Sequence, residues 1–200
     1  MGEETMTDNK LYQIPDAFLP LYHKYIEPYG RRFWDPGVWP AFCDLLDLLS
    51  CEGNCPSVVV KKYANETAKA LSTVTLLSHS LNVTENLADL YKKYYRHDGA
   101  FTFFVQQVLI AGMGHDVGKI PKFITKWQSR FRHPQVSAEV ILNLLEKHRA
   151  DPPWKERVLY AIRQHHAAVG NNRLTEWLCK ADQEARQYEL WKVTRSGQRR

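Results

Sequence analysis

The chain of 200 residues has little of what would make it a membrane, secreted or β-rich protein. No stretch approaches the roughly 18 uninterrupted apolar residues that span a bilayer. The opening Met-Gly-Glu-Glu-Thr-Met-Thr-Asp-Asn-Lys is acidic and polar, not basic and then apolar as a secretion signal would be. A cytoplasmic protein with no membrane partner is therefore expected. Only 4 cysteines occur, too few for a disulfide-built fold, and in a reducing compartment they are thiols. Cys51 and Cys55, with Cys43 upstream, are not followed by a second Cys-Cys or a His-His pair at zinc-finger spacing, and they read as ordinary free cysteines. Strand-like alternation between hairpin turns is missing throughout, as are internal repeats and low-complexity tracts. The expected fold class is all-α.

What is present suffices for one domain with a sizeable core, at 44% hydrophobic and 12% aromatic residues. Residues 1–13 read as a loose N-terminus and 14–56 as a helical cap. In that cap Pro15, Pro20, Pro28, Pro36 and Pro40 separate short aromatic segments, and apolar residues at 39, 42, 45, 46, 48 and 49 then keep a helical spacing. Residues 57–190 read as the main body and 191–200 as a basic tail. From Val58 to Arg96 there is no proline or glycine, and the period of apolar residues predicts one long helix or two in succession. One stripe of it, Leu76, His79, Val83, Leu87, Leu90 and Tyr94, places a histidine on a buried face. The apolar run Phe101 to Ala111 predicts a buried helix, and Ile120-Pro121 opens a short one with Phe123, Ile124 and Trp127. His133-Pro134 opens another, with proline in the tolerated first turn. Asp151-Pro152-Pro153 opens the next, which leads into His165-His166, and Leu174 to Leu190 closes the set with Asp182 beside Ala181.

Between these segments lies Ala-Gly-Met-Gly-His115-Asp116-Val-Gly-Lys119, a histidine and a carboxylate framed by glycines, where the backbone is expected to bend closely around a ligand. A neutral imidazole nitrogen and a carboxylate oxygen are both good donors to a divalent first-row ion, and their adjacency lets one bend deliver two ligands. A lone His-Asp pair is a weak signal. Here, though, His79, His115-Asp116, His133, His165-His166 and Asp182 follow in order, each at a helix end or on an inward stripe, and they take up five of the 8 histidines. Each has a plainer reading. His79 could be a core histidine bonded to a backbone carbonyl, His133 an N-cap, and Asp182 a surface aspartate in the charged run Lys180 to Arg186. His166 could face solvent, since helix neighbours point about 100° apart. A net charge of +5 favours an anionic ligand, and Lys119, Lys122, Lys126, Arg130 and Arg132 read equally as a solvated face or a phosphate rim.

The ordered set resembles the HD superfamily of metal-dependent phosphohydrolases, whose signature is a histidine, a His-Asp pair and a distant aspartate. His79, His115, Asp116 and Asp182 match it in order. The two-metal branch that includes the HD-GYP cyclic-dinucleotide phosphodiesterases adds a lysine, a His-Pro and a His-His, matched here by Lys119, His133-Pro134 and His165-His166. The resemblance covers roughly residues 70 to 190 and implies an HD-domain helical bundle beneath the N-terminal cap. It implies an enzyme, a phosphohydrolase or phosphodiesterase that hydrolyses a nucleotide or nucleic-acid phosphoester through a metal-bound hydroxide. By the same resemblance His79, His115, Asp116 and Asp182 hold one divalent ion, and Asp116, His133, His165 and His166 a second. Asp116 and Lys119 then serve catalysis. Iron, manganese, nickel, cobalt and magnesium all suit such donors, and the partner implied is a phosphorylated small molecule, a nucleotide or DNA. The Gly-Tyr-Pro element is missing after His165-His166, so cyclic-dinucleotide specificity is not implied. Residues 165 to 186 also resemble the HD domain of MobH-type conjugative relaxases, which gives a DNA-binding transfer domain as an alternative, beside a non-catalytic HD module.

Overall fold

Prolines and aromatics shape the first described segment. In a computed structural model of the protein, which describes residues 14–29, 34–58, 65–95, 98–124, 132–166 and 172–197, this segment winds through a tight turn at Asp16–Phe18 into α1 (Leu19–Leu21). A wider turn, Tyr22–Ile26, follows. Phe18, Leu21, Tyr25 and Ile26 are buried, each contributing on the order of 1.5–3 kcal/mol of apolar burial. The Tyr25 hydroxyl donates to Asp89 at 2.8 Å, which ties the cap to the body. Next comes α2 (Val38–Glu52), preceded by Gly37 at φ 77°; a Cβ there would lie 2.4 Å from the His148 carbonyl oxygen, so both conformation and space demand glycine.

The proline-free stretch forms two helices, α3 (Glu66–Leu71) and α4 (Leu76–Tyr94), while residues 59–64 lie outside the described set. The hydroxyl-rich run between them supplies the break. Thr75 caps α4 by accepting the Ser78 N–H, and Asn65 caps α3 by accepting the Ala68 N–H. Leu76, His79, Val83 and Leu87 are buried as the period predicts, but the stripe then turns to Tyr91 and leaves Tyr94 half exposed.

After α5 (Asp98–Thr102), α6 (Val105–Gly114) is buried at every position and extends past Ala111 to the His-Asp pair. The segment at Ile120-Pro121 makes only a single turn, Pro121–Phe123, before Ile124 becomes extended; Trp127 lies outside the described residues. The set is completed by α7 (His133–Lys147), α8 (Lys155–Gln164) and α9 (Arg173–Gly197). The last helix continues into the basic tail, where Trp191 stacks on Tyr188 and carries the Arg195 guanidinium at 4.5 Å.

Among the described residues every regular element is helical, and the one extended pairing is an isolated bridge between Pro56 and Thr75. The fold is all-α. Helix α4 lies between α6 and α9, α8 packs on α6, α7 and α9, and α2 lies over α7. One apolar core runs through all of them, from Phe18 in the cap to Ala185 in α9. All four cysteines are free. No helix of the described residues is long and apolar enough to cross a membrane.

Candidate metal centre

The glycines around the His-Asp pair act by close packing rather than by bending. Among the described glycines only Gly37 takes a positive φ, so Gly112, Gly114 and Gly118 have ordinary backbone angles. A Cβ on Gly112 would lie 2.7 Å from the Thr84 Cα, one on Gly114 2.6 Å from Ile141 Cδ1, and one on Gly118 2.5 Å from the His133 carbonyl oxygen. The missing side chains let α6 press on α4 and let the 117–119 turn press on the start of α7. That brings His79 and His133 in toward Asp116.

Asp116 is 1% exposed and divides its two oxygens between two groups of imidazoles. Oδ2 lies 3.5 Å from His79 Nε2 and 3.4 Å from His115 Nε2. Oδ1 lies 3.1 Å from His133 Nε2 and 3.4 Å from His165 Nε2. His166 is exposed, yet its Nε2 stands 3.0 Å from that of His133 and joins the second group. Asp182 is buried, with Oδ1 3.1 Å from His79 Nε2, and Lys119 Nζ lies 2.5 Å from Asp116 Oδ2. All seven residues singled out as ligands therefore meet, together with Lys119. His133 is the first residue of α7, with Arg132 in the cap position, and His79 is bonded to a carboxylate instead of a backbone carbonyl. Of the other basic residues, Lys122 pairs with Glu52 and Arg132 is exposed, while 126 and 130 lie outside the described residues.

The hydrogen bonds behind the imidazoles settle what faces inward. His115 Nδ1 donates to the Gly112 carbonyl and His165 Nδ1 to the Ile162 carbonyl, both at 2.7 Å. A neutral imidazole that donates from Nδ1 presents a bare lone pair at Nε2. Those lone pairs point at a carboxylate, and Asp116 Oδ1, His165 Nε2 and Asp182 Oδ1 are buried with no hydrogen-bond partner. Each unmatched buried acceptor costs about 1–3 kcal/mol. Acceptors facing acceptors require a cation between them, and imidazole nitrogen with carboxylate oxygen is the donor set of a divalent transition metal. The residues fit the ion.

Protonation agrees. Burial works to raise the Asp116 pKa, but Lys119 and His115 hold its carboxyl well below the usual range. Burial likewise works to raise the Asp182 pKa, but the neighbouring His79 and His115 rings hold it well below the usual range. Burial pushes His115 down, and burial with the neighbouring His165 pushes His166 down to about 4. His79 is the exception: burial lowers its pKa, yet the Asp182 and Glu189 carboxylates beside its two nitrogens raise it overall, so this ring favours its charged form and would release a proton on binding a cation. Charged carboxylates and neutral imidazoles are the metal-binding forms.

Two residues of the network were not singled out from the sequence. Glu189 bonds His79 Nδ1 at 2.9 Å, and Arg186 reaches Glu189 at 3.2 Å while standing 3.6 Å from Asp116 Oδ2 and 3.8 Å from Asp182 Oδ1. Ser57 anchors that guanidinium, accepting from it through Oγ at 2.7 Å. The available signal was the step of four and then three from Asp182 to Arg186 to Glu189, which places all three on one face of α9.

An all-helical domain with buried histidines and carboxylates gathered at the end of its central helix defines a metal-binding helical domain. The family model for the HD domain matches residues 76–188, and the chain belongs to that family. HD domains bind divalent metals, and the family is generally one of metal-dependent hydrolases. No curated protein and no solved structure matches the chain, and the likeness of residues 165 to 186 to MobH-type relaxases gains no support.

Proposed function

We propose that the protein is a metal-dependent phosphohydrolase that cleaves a phosphoester of a nucleotide or nucleic acid at a two-metal centre. The observation that carries this reading is the division of Asp116, one oxygen toward His79 and His115 and the other toward His133 and His165. A single-ion site would not need a carboxylate with donors gathered on both sides. In this reading His79, His115, Asp116 and Asp182 hold one ion, and Asp116, His133, His165 and His166 the other. Bound divalent ions supply an activated water for in-line attack on phosphorus and take up charge on the phosphoryl oxygens.

The side chains do the rest. The carbonyl bonds aim Nε2 of His115 and His165 inward, burial favours the neutral form of His115, and Asp116 stays ionised beside Lys119. Lys119 is 14% exposed at its side chain and gives up Asp116 Oδ2 to meet a phosphate oxygen as a point charge. The exposed ring of His166 and the partly exposed His133 mark the side from which an ester enters. A cytoplasmic location and a phosphorylated small molecule, nucleotide or DNA as partner go with this reading.

Metal analysis of protein purified without chelator should find about two ions per chain, and the loaded protein should hydrolyse bis-nitrophenyl phosphate. Asp116→Ala should abolish turnover. Protein that takes up no transition metal and cleaves no such ester would refute the proposal. Cleavage of nucleotides but not of DNA, or the reverse, assigns the substrate.

A further inference from the structure

The histidines of the centre are not backed alike. His115 and His165 donate from Nδ1 to backbone carbonyls, which are neutral. His79 instead donates to a carboxylate, with Glu189 Oε1 at 2.9 Å and Oε2 at 3.2 Å, and Glu189 is only 3% exposed. Burying a carboxylate costs several kcal/mol unless it is paired and fully bonded. The fold meets that cost with three partners: His79, the Asn82 amide donating at 2.9 Å, and Arg186 donating at 3.2 Å. A backbone carbonyl would have fixed the His79 tautomer without this expense, as it does for the other two. What a carboxylate adds is charge, which pulls on the Nδ1 proton and makes Nε2 a stronger donor.

The two groups differ in burial in the same sense. His79 and His115 are fully buried and Asp182 nearly so, whereas His133 is partly exposed and His166 exposed. We propose that Glu189 is a positioning residue that makes the His79 half of the centre its tight half. It locks His79 with Nε2 toward Asp116 and Asp182 and strengthens that nitrogen. The ion held by His79, His115, Asp116 and Asp182 therefore binds first and leaves last, and the ion on the His133, His165 and His166 side exchanges. This rests on the two-metal reading above and adds an order of occupancy to it.

Cobalt titration of the metal-free 200-residue chain, by calorimetry and by competition with a chromogenic chelator, tests the inference without reference to turnover. Wild type should show two unequal steps. His166→Ala should remove the weaker step and spare the tighter one, which assigns the steps to the two halves. Glu189→Gln keeps the volume and an oxygen for the Nδ1 proton but removes the charge; it should weaken the tighter step by about 10–100-fold and leave the other within about twofold. If Glu189→Gln fails to fold, Asn82→Ala loosens the carboxylate while retaining its charge. It should weaken the tighter step alone by about two- to tenfold, the worth of one hydrogen bond.

Loss of thermal stability in the Glu189 variant with both cobalt steps unchanged would mean a merely structural glutamate and overturn the inference. So would equal wild-type steps, equal weakening of both, an unchanged tight step in Asn82→Ala, or loss of the tight step in His166→Ala. Wild-type protein that takes up no cobalt would instead overturn the metal reading itself.

Discussion

Replacing Gly112 by alanine tests how the packing of two helices sets the metal centre. The new Cβ would lie 2.5 Å from Thr84 Oγ1 and 2.7 Å from the Thr84 Cα. The hydroxyl is pinned by donating to the Ser80 carbonyl at 2.6 Å, and the Cα is backbone, so neither can swing away. To restore ordinary contact at 3.4 Å, α4 and α6 must separate by about 0.7 Å to clear the Cα and about 0.9 Å to clear the hydroxyl. Alanine gains about 1 kcal/mol over glycine in a helix interior. Overpacking costs about 1–3 kcal/mol, and with backbone as the obstacle the upper part of that range applies. The clash wins, for a net loss of about 1–2 kcal/mol, or roughly 2–8 °C in Tm for a domain of this size.

The same separation acts on the site. His79 rides on α4 and His115 follows α6 with its Nδ1 bonded to the Gly112 carbonyl, and their Nε2 atoms stand 3.4 Å apart. Metal–nitrogen distances tolerate only about 0.2 Å, so cobalt affinity should fall at least about tenfold. Thermal melting by circular dichroism and chelator competition read the two effects. Gly114→Ala meets the flexible tip of Ile141 and should lose less. A Gly112→Ala protein that melts at or above the wild-type temperature and holds cobalt equally well would refute the argument.

Lys119→Met removes the cation nearest to the buried Asp116 carboxylate and should destabilise the metal-free protein by roughly 2 kcal/mol, but the metal-loaded protein much less. The rise in Tm on adding metal should therefore be larger in the variant, and an equal rise would count against Lys119 as a stand-in counter-charge. Asp44 accepts from Lys147 Nζ and His148 Nε2, both at 2.7 Å, and despite burial these bonds lower its pKa. A folded pKa below the unfolded one means stability that is fully present above about pH 3.9 and is lost as pH falls through the folded value. Asp44→Asn should thus cost about 1 kcal/mol at pH 7 by urea denaturation, and the gap to wild type should narrow progressively as pH falls below about 3.9.

The helices and most of the site were legible because burial and chemistry left the same trace. His79 falls on the period of Leu76, Val83 and Leu87, all buried, and Asp182 lies next to the buried Ala181. Glu189 left no such trace. Charges of both signs three and four residues apart describe a solvated helix face as well as a buried network, and only the folded contacts distinguish them. The glycines misled for a related reason. A tight bend and a close helix approach both call for a missing Cβ, and nothing local in the sequence says which, since the obstructing atoms belong to Thr84, Ile141 and His133 elsewhere in the chain. The single turn at Pro121–Phe123 shows the remaining limit, as an apolar pattern there suggested a longer helix than the backbone makes.

Because Asp182 and Glu189 both sit on α9, the pocket has no far wall until the last helix has docked against α4. Chains emerge N-terminal end first at about 5–20 residues per second, so His79 leaves the ribosome several seconds before these carboxylates. A nascent chain exposed as far as His166 carries every imidazole of the cluster and none of the α9 anchoring. The ligand set that includes Asp182 is therefore complete only once α9 has formed and packed on α4.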